Sequence, residues 1–567
     1  MVPSAFIPLG QIPLTPSGKV DRKTLRQIGS QVKMDGIQNR GPSNEPVTEC
    51  EMVLRQMWSD VLGIATDMIG RDDNFFDIGG DSLASIRLVG VARQRHLPLS
   101  VTTIFQHPQL DNMAHQLTAT RQSSNGAAIT MVVHSVVDSA RLPTGPEVSK
   151  MLSVAEETIT DILPVTDFQH YAIKCAFTKP RTEWNYFSMK FERTMDIPKL
   201  QRVCWQLVHS VEILRCIFLP YGDKYIQVFL KGLQPQVKIA KVSQPLGPAC
   251  KAICQQDLEE DFSPGMSFTS FFIVQNELAQ ESRLIMRMSH AQYDGVSFPR
   301  MAECIGALCD QRPLPVLAEF STFLKESSRR TAENYTYWSS LLKDSPEPAL
   351  SFPGRTCEGL IPAKRLRLCK EITLYRSPKA ITMATLFSAA WGVALSCVTG
   401  SSDIVFGRAV SGRNLTSLTE HHENVVGPCL NLVPVRMKLS SPDTIHDVLK
   451  SLQRQYINSI PHEAMGLMEI VEKCTDWPRN TSFGSVFYYQ NVEQQPLIRV
   501  GSEDVHFTAM ILDRADPPEP PRLNVKPNGD GKYILELSIP EDSCSLKASQ
   551  ELLDRMDKLL EPFSAER

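Results

Sequence analysis

The sequence predicts an α/β protein in which a small four-helix domain precedes a larger, two-lobed one, and three observations predict it. Residues 44–118 carry apolar stripes at one-turn spacing alone, whereas residues 148–567 mix that spacing with period-two alternation. A polar stretch without periodicity, residues 119–147, reads as the linker between them. A chain of 567 residues with 42% hydrophobic and 22% charged residues can bury a substantial core, which excludes a mainly disordered or collagen-like protein. Its net charge of -4 gives no global electrostatic reason to bind nucleic acid or an anionic membrane.

Taken in order, residues 1–30 are too short for a core of their own and hold the turn-rich string PLTPSGKVDRKTL. In the small domain, Val53, Leu54, Met57, Trp58, Val61 and Leu62 form one helical stripe, and Leu110, Met113, Ala114 and Leu117 form another. Between them lies DNFFDIGGDSLASIRL. Gly79 and Gly80 permit a tight turn, and Asp81 with Ser82 then opens an amphipathic helix carrying Leu83, Ile86 and Val89. A serine hydroxyl at a helix start is well placed beside a phosphate.

In the large domain, Leu200, Val203, Cys204, Leu207, Val208 and Val211 predict a helix. Val433, Val435, Met437 and Leu439 alternate with Pro434, Arg436 and Lys438 as a strand does, and Tyr533, Leu535, Leu537 and Ile539 predict a second strand. The charge-free run from Ala380 to Ser402 is long enough to cross a bilayer, but its threonines and serines mark it as a buried core helix. The start of the chain lacks a secretory signal, and the 14 cysteines show no CxxC pair, which fits a reducing, cytoplasmic setting. His421 with His422, and Cys250 with Cys254, lack the spaced companions of a metal site.

The string Met288 to Ser297, MSHAQYDGVS, carries the strongest chemical signal. Leu284, Met286, Met288 and His290 share a strand face, and Asp294 with Gly295 turns the chain into a helix with Phe298, Met301, Ile305 and Leu308 inside. A histidine at a strand end can move a proton near neutral pH. From HxxxD alone, a hydrogen-bonded core histidine is the better reading.

Neighbouring strings shift that balance. FFDIGGDSLASI resembles the carrier-protein signature of nonribosomal peptide synthetases, which implies that a phosphopantetheinyl transferase places a 4'-phosphopantetheine arm on Ser82. PLTPSGKVDR resembles the last motif of their adenylation domains, with Ser17 where asparagine is commoner, so residues 1–30 are identified as an adenylation-domain tail in an excised fragment. Lys19 matches the lysine that contacts the acyl-adenylate, but the ATP-binding core is absent. MSHAQYDGVS resembles the condensation-domain motif MHHxxxDGxS with Ser289 in place of the first histidine. Strings around Gln169, Arg215, Trp338, Asn414, Val425 to Arg436 and Arg479 look like further condensation-domain blocks in the family's order.

The SHxxYDG form resembles fungal terminal condensation domains that release peptides by cyclisation, including those of fumiquinazoline-type synthetases. That resemblance implies a duplicated chloramphenicol-acetyltransferase fold with two lobes in a V and His290 in the tunnel between them. Asp294 is then a structural residue paired with Arg413, Gly295 a turn requirement, and Ser289 either a donor near the reacting amide or a small residue that makes room. Upstream synthetase modules would supply a linear peptide tethered to the carrier. With one carrier ahead of residues 148–567, nothing after Arg567 and no GxSxG esterase motif, the simplest nucleophile is an amine of the tethered peptide itself. Three alternatives stand beside this expectation: bimolecular condensation with a second amine, an epimerase, which usually keeps both histidines, and a non-catalytic partner-recruiting domain, which tends to lose the active one.

Overall fold

The computed structural model describes residues 45–95, 97–123, 134–135, 142–348, 364–374, 377–378, 381–414, 424–440, 444–491, 495–528, 531–541 and 544–564. The first of these segments form a four-helix domain: α1 (Glu49–Leu62), α2 (Ser82–Gln94), α3 (Val101–Gln106) and α4 (Leu110–Ser123). Thr48 and Glu51 close a capping box at the start of α1, and Gly63 ends it with φ 68°. Leu54, Met57 and Trp58 meet Leu110, Met113, Ala114 and Leu117 in one core, so both apolar stripes face inward.

The large domain begins with β1 (His134–Ser135), α5 (Gly145–Leu152), β2 (Ile159–Pro164), α6 (Asp167–Phe177), β3 (Trp184–Phe191) and α7 (Ile197–Ser210). It continues through β4 (Cys216–Tyr221), β5 (Lys224–Leu230), β6 (Gln236–Lys241), α8 (Leu246–Glu259), β7 (Ser270–Asn276), β8 (Glu281–Ser289) and α9 (Ser297–Cys309). Helix α10 (Phe320–Ser327), β9 (Arg329–Arg330) and α11 (Ala332–Leu342) then lead to a second set of elements. These are β10 (Arg365–Thr373), α12 (Met383–Thr399), β11 (Asp403–Val410), β12 (Asn431–Lys438), α13 (Ile445–Ser459) and α14 (Leu467–Cys474). The chain closes with β13 (Val486–Tyr489), β14 (Leu497–Val500), β15 (Glu503–Ala509), β16 (Arg522–Pro527), β17 (Lys532–Pro540) and α15 (Leu546–Leu560).

Two six-stranded sheets organise the two lobes, in the orders β14-β15-β3-β8-β7-β6 and β10-β17-β16-β13-β11-β12. The β14–β15 hairpin belongs to the second half of the chain but pairs with β3 of the first, Phe507 opposite Met189. This crossover stitches the lobes together. Each lobe has its own core, one built around Phe187, Phe271 and Met286, the other around Trp391, Phe406 and Leu537.

Helix α7 buries the predicted stripe from Leu200 to Val208, and Val211, just past its end, is buried as well. Helix α12 lies inside the stretch expected to be a core helix, with Trp391 and Ala394 fully enclosed, and among the described residues no helix is long and apolar enough to cross a membrane. The alternation in β12 does not mark a wet face. Pro434 and Arg436 are buried with their neighbours, because Arg436 pairs with Asp403 at 2.6 Å and donates to the carbonyls of Leu341, Lys343 and Asp344.

Candidate active site

The carrier turn is fixed at short range. The Phe75 ring packs edge-on to Trp58 at 5.2 Å and leaves no space beside the next turn, since a Cβ on Gly80 would lie 2.4 Å from that ring. Asp81 caps α2 by accepting the Ala84 N–H at 2.7 Å, so Ser82 is the first residue of the helix. Ser82's side chain lies outside the described residues. The other Asp81 oxygen accepts from the Asn491 side-chain amide, just beyond β13. Phe105 of α3 meets Tyr456 of α13 at 5.1 Å, and Tyr456 and Ile460 complete the small domain's core. The carrier helix start is therefore seated against the second lobe.

His290 sits one residue beyond β8, in a short 3-10 turn, His290–Gln292. It does not end the strand's apolar face, because both faces of β8 from Leu284 to Ser289 are buried and the strand stops at Ser289. Five hydrogen bonds hold the turn. His290 N–H donates to the Glu183 carbonyl at 3.0 Å, Ala291 N–H to the Ser289 hydroxyl at 3.1 Å, and the Gln169 amide to the Ala291 carbonyl at 3.1 Å. Gln292 donates to the Ile213 carbonyl and the Thr269 hydroxyl at 3.2 and 3.0 Å. Ser289 is thus fully enclosed and caps the turn with its side chain.

The imidazole is equally constrained. Nδ1 lies 3.0 Å from the Tyr293 carbonyl, which only accepts, so Nδ1 carries the proton and Nε2 keeps its lone pair. The ring stacks on Tyr293 at 4.5 Å and meets Phe168 edge-on at 5.0 Å. Burial pushes the imidazole pKa below its ordinary value, outweighing the opposing Tyr293 hydrogen bond, and so favours the neutral ring. Nε2 has no hydrogen-bond partner among the described residues, and His290 is half-buried rather than sealed. Such a nitrogen can take a proton from a group brought against it.

Asp294 is 3% exposed and makes a bidentate pair with Arg413, at 2.7 and 3.1 Å. Its oxygens also accept the N–H groups of Val296, Ser297 and Cys429, while Arg413 donates to the carbonyls of Val425 and Gly427. This carboxylate touches structure on every side and ties the histidine turn to the segment that follows β11. Gly412 makes the approach possible: its φ is 68°, and a Cβ there would lie 1.9 Å from the Cys429 carbonyl oxygen. Gly295 is exposed and is not among the glycines of positive φ, so left-handed backbone does not account for it.

Several residues singled out in the sequence fall elsewhere. Ser17, Lys19, His421 and His422 lie outside the described residues. Arg479 is exposed, whereas Gln169, in another of the family-like blocks, is one of the clamps of the histidine turn. Cys250 and Cys254 are buried thiols on α8, the latter pushed up to about 12 by burial, and no group of three metal-type ligands occurs among the described residues. Sequence patterning missed Tyr293 as the ring under His290, Asn491 as the contact of Asp81, and Glu183 beneath the turn. None of these follows from periodicity, since each works through a fold contact.

Two family models match the chain: the phosphopantetheine attachment site over residues 53–117 and the condensation domain over residues 159–527. Among curated relatives, a nonribosomal peptide synthetase of Penicillium brevicompactum, apmB, is 34% identical over 87% of this chain and 21% of its own length. The synthetase dtxS1 of Metarhizium robertsii is 31% identical over 99% of this chain and 7% of its own. The chain thus spans about a fifth or less of these relatives. A solved structure described as CT has a TM-score of 0.64 at 26% identity, covering 77% of this chain and 97% of that one. One described as holo T3CT has the same TM-score at 27% identity, covering 72% and 92%. A starter condensation domain of rhizomide synthetase, at 14% identity and a TM-score of 0.57 over 75% of this chain and 98% of that one, shares the fold alone. The two-sheet, two-lobed arrangement is the chloramphenicol-acetyltransferase-like fold of these neighbours. The chain therefore belongs to the condensation-domain family, with a phosphopantetheine-bearing carrier domain ahead of it, and is homologous to fungal nonribosomal peptide synthetases.

Proposed function

We propose that this chain releases a peptide held on its carrier domain by letting an amine of the same peptide attack the carrier-bound acyl group, giving a cyclic peptide or peptide alkaloid. The observation that carries the chemistry is the neutral, oriented His290 with a free Nε2 in a half-buried turn. The cyclising form rests on Ser289 in the first histidine's place and on the likeness to structures described as CT and holo T3CT. A fumiquinazoline-type product and a cytoplasmic setting belong to the same reading.

In this reading each residue has a role that the geometry supports. A phosphopantetheine arm on Ser82 would supply a flexible thiol that carries the peptide as a thioester. Ser82 fits that attachment, because the Gly80 turn and the Asp81 cap place it at a helix start held against the second lobe. His290 Nε2 takes a proton from the attacking nitrogen and returns it to the departing sulfur, so a C–N bond forms, a C–S bond breaks and no other reactant is needed. Asp294 and Arg413 hold the turn, and Ser289 caps it. Enclosing both ends of one peptide also replaces a bimolecular encounter by an oriented one.

The test is to load Ser82 with a panel of peptidyl arms and identify the released products by mass. Cyclic product, lost on Ser82→Ala, is expected. Linear hydrolysate from every arm would overturn the proposal, and amide formed only with an added amine would replace it by bimolecular condensation.

A further inference from the structure

Next to the carrier's seat on the second lobe lies a buried ion pair that the proposed chemistry does not use. Arg408 of β11 meets Glu463, just past α13, at 3.2 Å, with side chains 11% and 2% exposed. Its contacts run in two directions. Toward the carrier, the Arg408 guanidinium lies over the Tyr456 ring, 4.4 Å from its centre, and donates to the Ser459 hydroxyl at 3.0 Å. Tyr456 is the residue that meets Phe105 of the carrier. Toward the histidine turn, the second Glu463 oxygen accepts from the Asn414 amide at 3.3 Å. Two consecutive buried residues thus bind different partners: Arg413 holds Asp294 of the histidine turn, and Asn414 holds the pair beside the carrier seat. Asn431 of β12 fixes the Glu463 backbone by donating to its carbonyl at 2.7 Å and to that of Met465 at 3.0 Å.

Replacing a buried ion pair by apolar side chains of similar volume is often neutral or stabilising, so what such a pair supplies is fixed geometry rather than stability. We infer that Arg408, Glu463 and Asn414 are positioning residues that couple the seating of the carrier to the geometry of the histidine turn, on a path from Tyr456 through these three to Arg413 and Asp294. None of them touches the reacting atoms. With the carrier seated, Phe105 and Arg408 hold Tyr456 together, and the same guanidinium holds Glu463 within reach of Asn414. A carrier that leaves its seat takes one of those holds away. This rests on the reading under Proposed function and deepens it: the turn works best when the carrier that delivers the peptide is in place.

The test is a double-mutant cycle in the full chain, with Ser82 loaded with an arm that the wild type cyclises. Phe105→Leu removes the ring that meets Tyr456 and keeps the carrier core apolar, while Asn414→Ala cuts the path beside Arg413 without removing a charge. Each alone is expected to slow single-turnover release about tenfold, and the two together also about tenfold, because residues in one network do not add. A combined loss of about a hundredfold, the product expected of independent sites, would overturn the inference, as would release at the wild-type rate in Asn414→Ala.

A second readout needs no turnover. In protein carrying carbon-13-labelled histidine, the His290 ring signal, assigned by its loss in His290→Ala, is expected to shift on Phe105→Leu and to stay in place when the same change is made in Asn414→Ala. A merely structural Asn414 would leave the shift intact, and that result, or a signal that Phe105→Leu does not move at all, would overturn the inference. Should Asn414→Ala not fold, Glu463→Gln, which keeps the size of the side chain, takes its place with the same expected results; failure of both to fold would make the cluster structural and overturn the inference. A wild type that cyclises no arm overturns the proposed function, whereas the ring signal still tests the coupling by itself.

Discussion

In the proposed reading two turns carry the chemistry of this chain, and different parts of the sequence fix them. The turn from Gly79 to Ser82 is built by neighbours: Asp81 caps a backbone N–H three residues on, and Gly80 is packed under Phe75. The turn at His290 is built from afar. Its clamps reach across 119 residues from Asp294 to Arg413, 122 from Gln169 to Ala291, and 79 from Gln292 to Ile213. A local turn survives movement of its domain, as a carrier must, while the histidine turn draws its partners from both lobes.

The sharpest way to break the comparison is to remove one residue from each turn and ask which functions fail. Ser82→Ala should abolish attachment of the phosphopantetheine arm altogether, read as the absence of a mass increase after incubation with a phosphopantetheinyl transferase and coenzyme A. Modification of that variant would refute the carrier assignment. His290→Ala should leave attachment intact yet slow single-turnover release by about 10² to 10⁴, the usual contribution of a general base. If release proceeds at the wild-type rate, the histidine turn is not the catalytic one.

The same ring makes a pH prediction. Burial lowers the folded-state pKa of His290 below its ordinary 6.5, so the unfolded chain binds the proton more readily. Its contribution to stability is present above pH 6.5 and is lost as pH falls through the lower folded value. Wild-type release should show an acid limb with a midpoint below pH 6.5 that His290→Ala lacks.

Asp294→Ala tests the long-range half of the comparison. Removing one partner of a buried ion pair typically costs about 3 to 5 kcal/mol, because Arg413 would be left charged and enclosed. Denaturant unfolding should show that loss in the condensation domain, together with lost release. A fully stable but inactive variant would place Asp294 in the chemistry instead.

What the sequence made legible follows the same division. Period-based reading found α1, α4, α7 and β17, because a stripe of apolar residues must face a core wherever that core lies. It placed the carrier serine at a helix start, because Gly-Gly-Asp-Ser is local turn chemistry. His290 was legible only through its motif: by spacing alone it belongs to a strand that ends one residue earlier. Arg413 likewise came from family resemblance, and nothing in the string SGRN tells that Gly412 packs so close to the Cys429 carbonyl that no Cβ would fit there. Glu183 and Tyr293 carry no signal in periodicity at all, since their environment is made by elements from both halves of the chain.

The smallest expected effect tests the local turn. Asp81→Ala removes a helix cap, which typically costs about 0.5 to 2 kcal/mol, and it also removes the contact with Asn491 that seats the helix start on the second lobe. Asn491→Ala removes only the second of these. If the cap matters for the carrier alone, Asp81→Ala should lower carrier stability and Asn491→Ala should not. If the seat matters for delivery, both should slow release while leaving arm attachment at Ser82 unchanged, and raising the distance between the two domains by a longer linker should not add to the loss. The seat also includes Phe105 against Tyr456, so each polar variant should slow release by less than tenfold, at or below about 1.4 kcal/mol, because the apolar contact still brings the domains together. A larger loss from Asn491→Ala than from Asp81→Ala would show that the amide has a second task just past the end of β13.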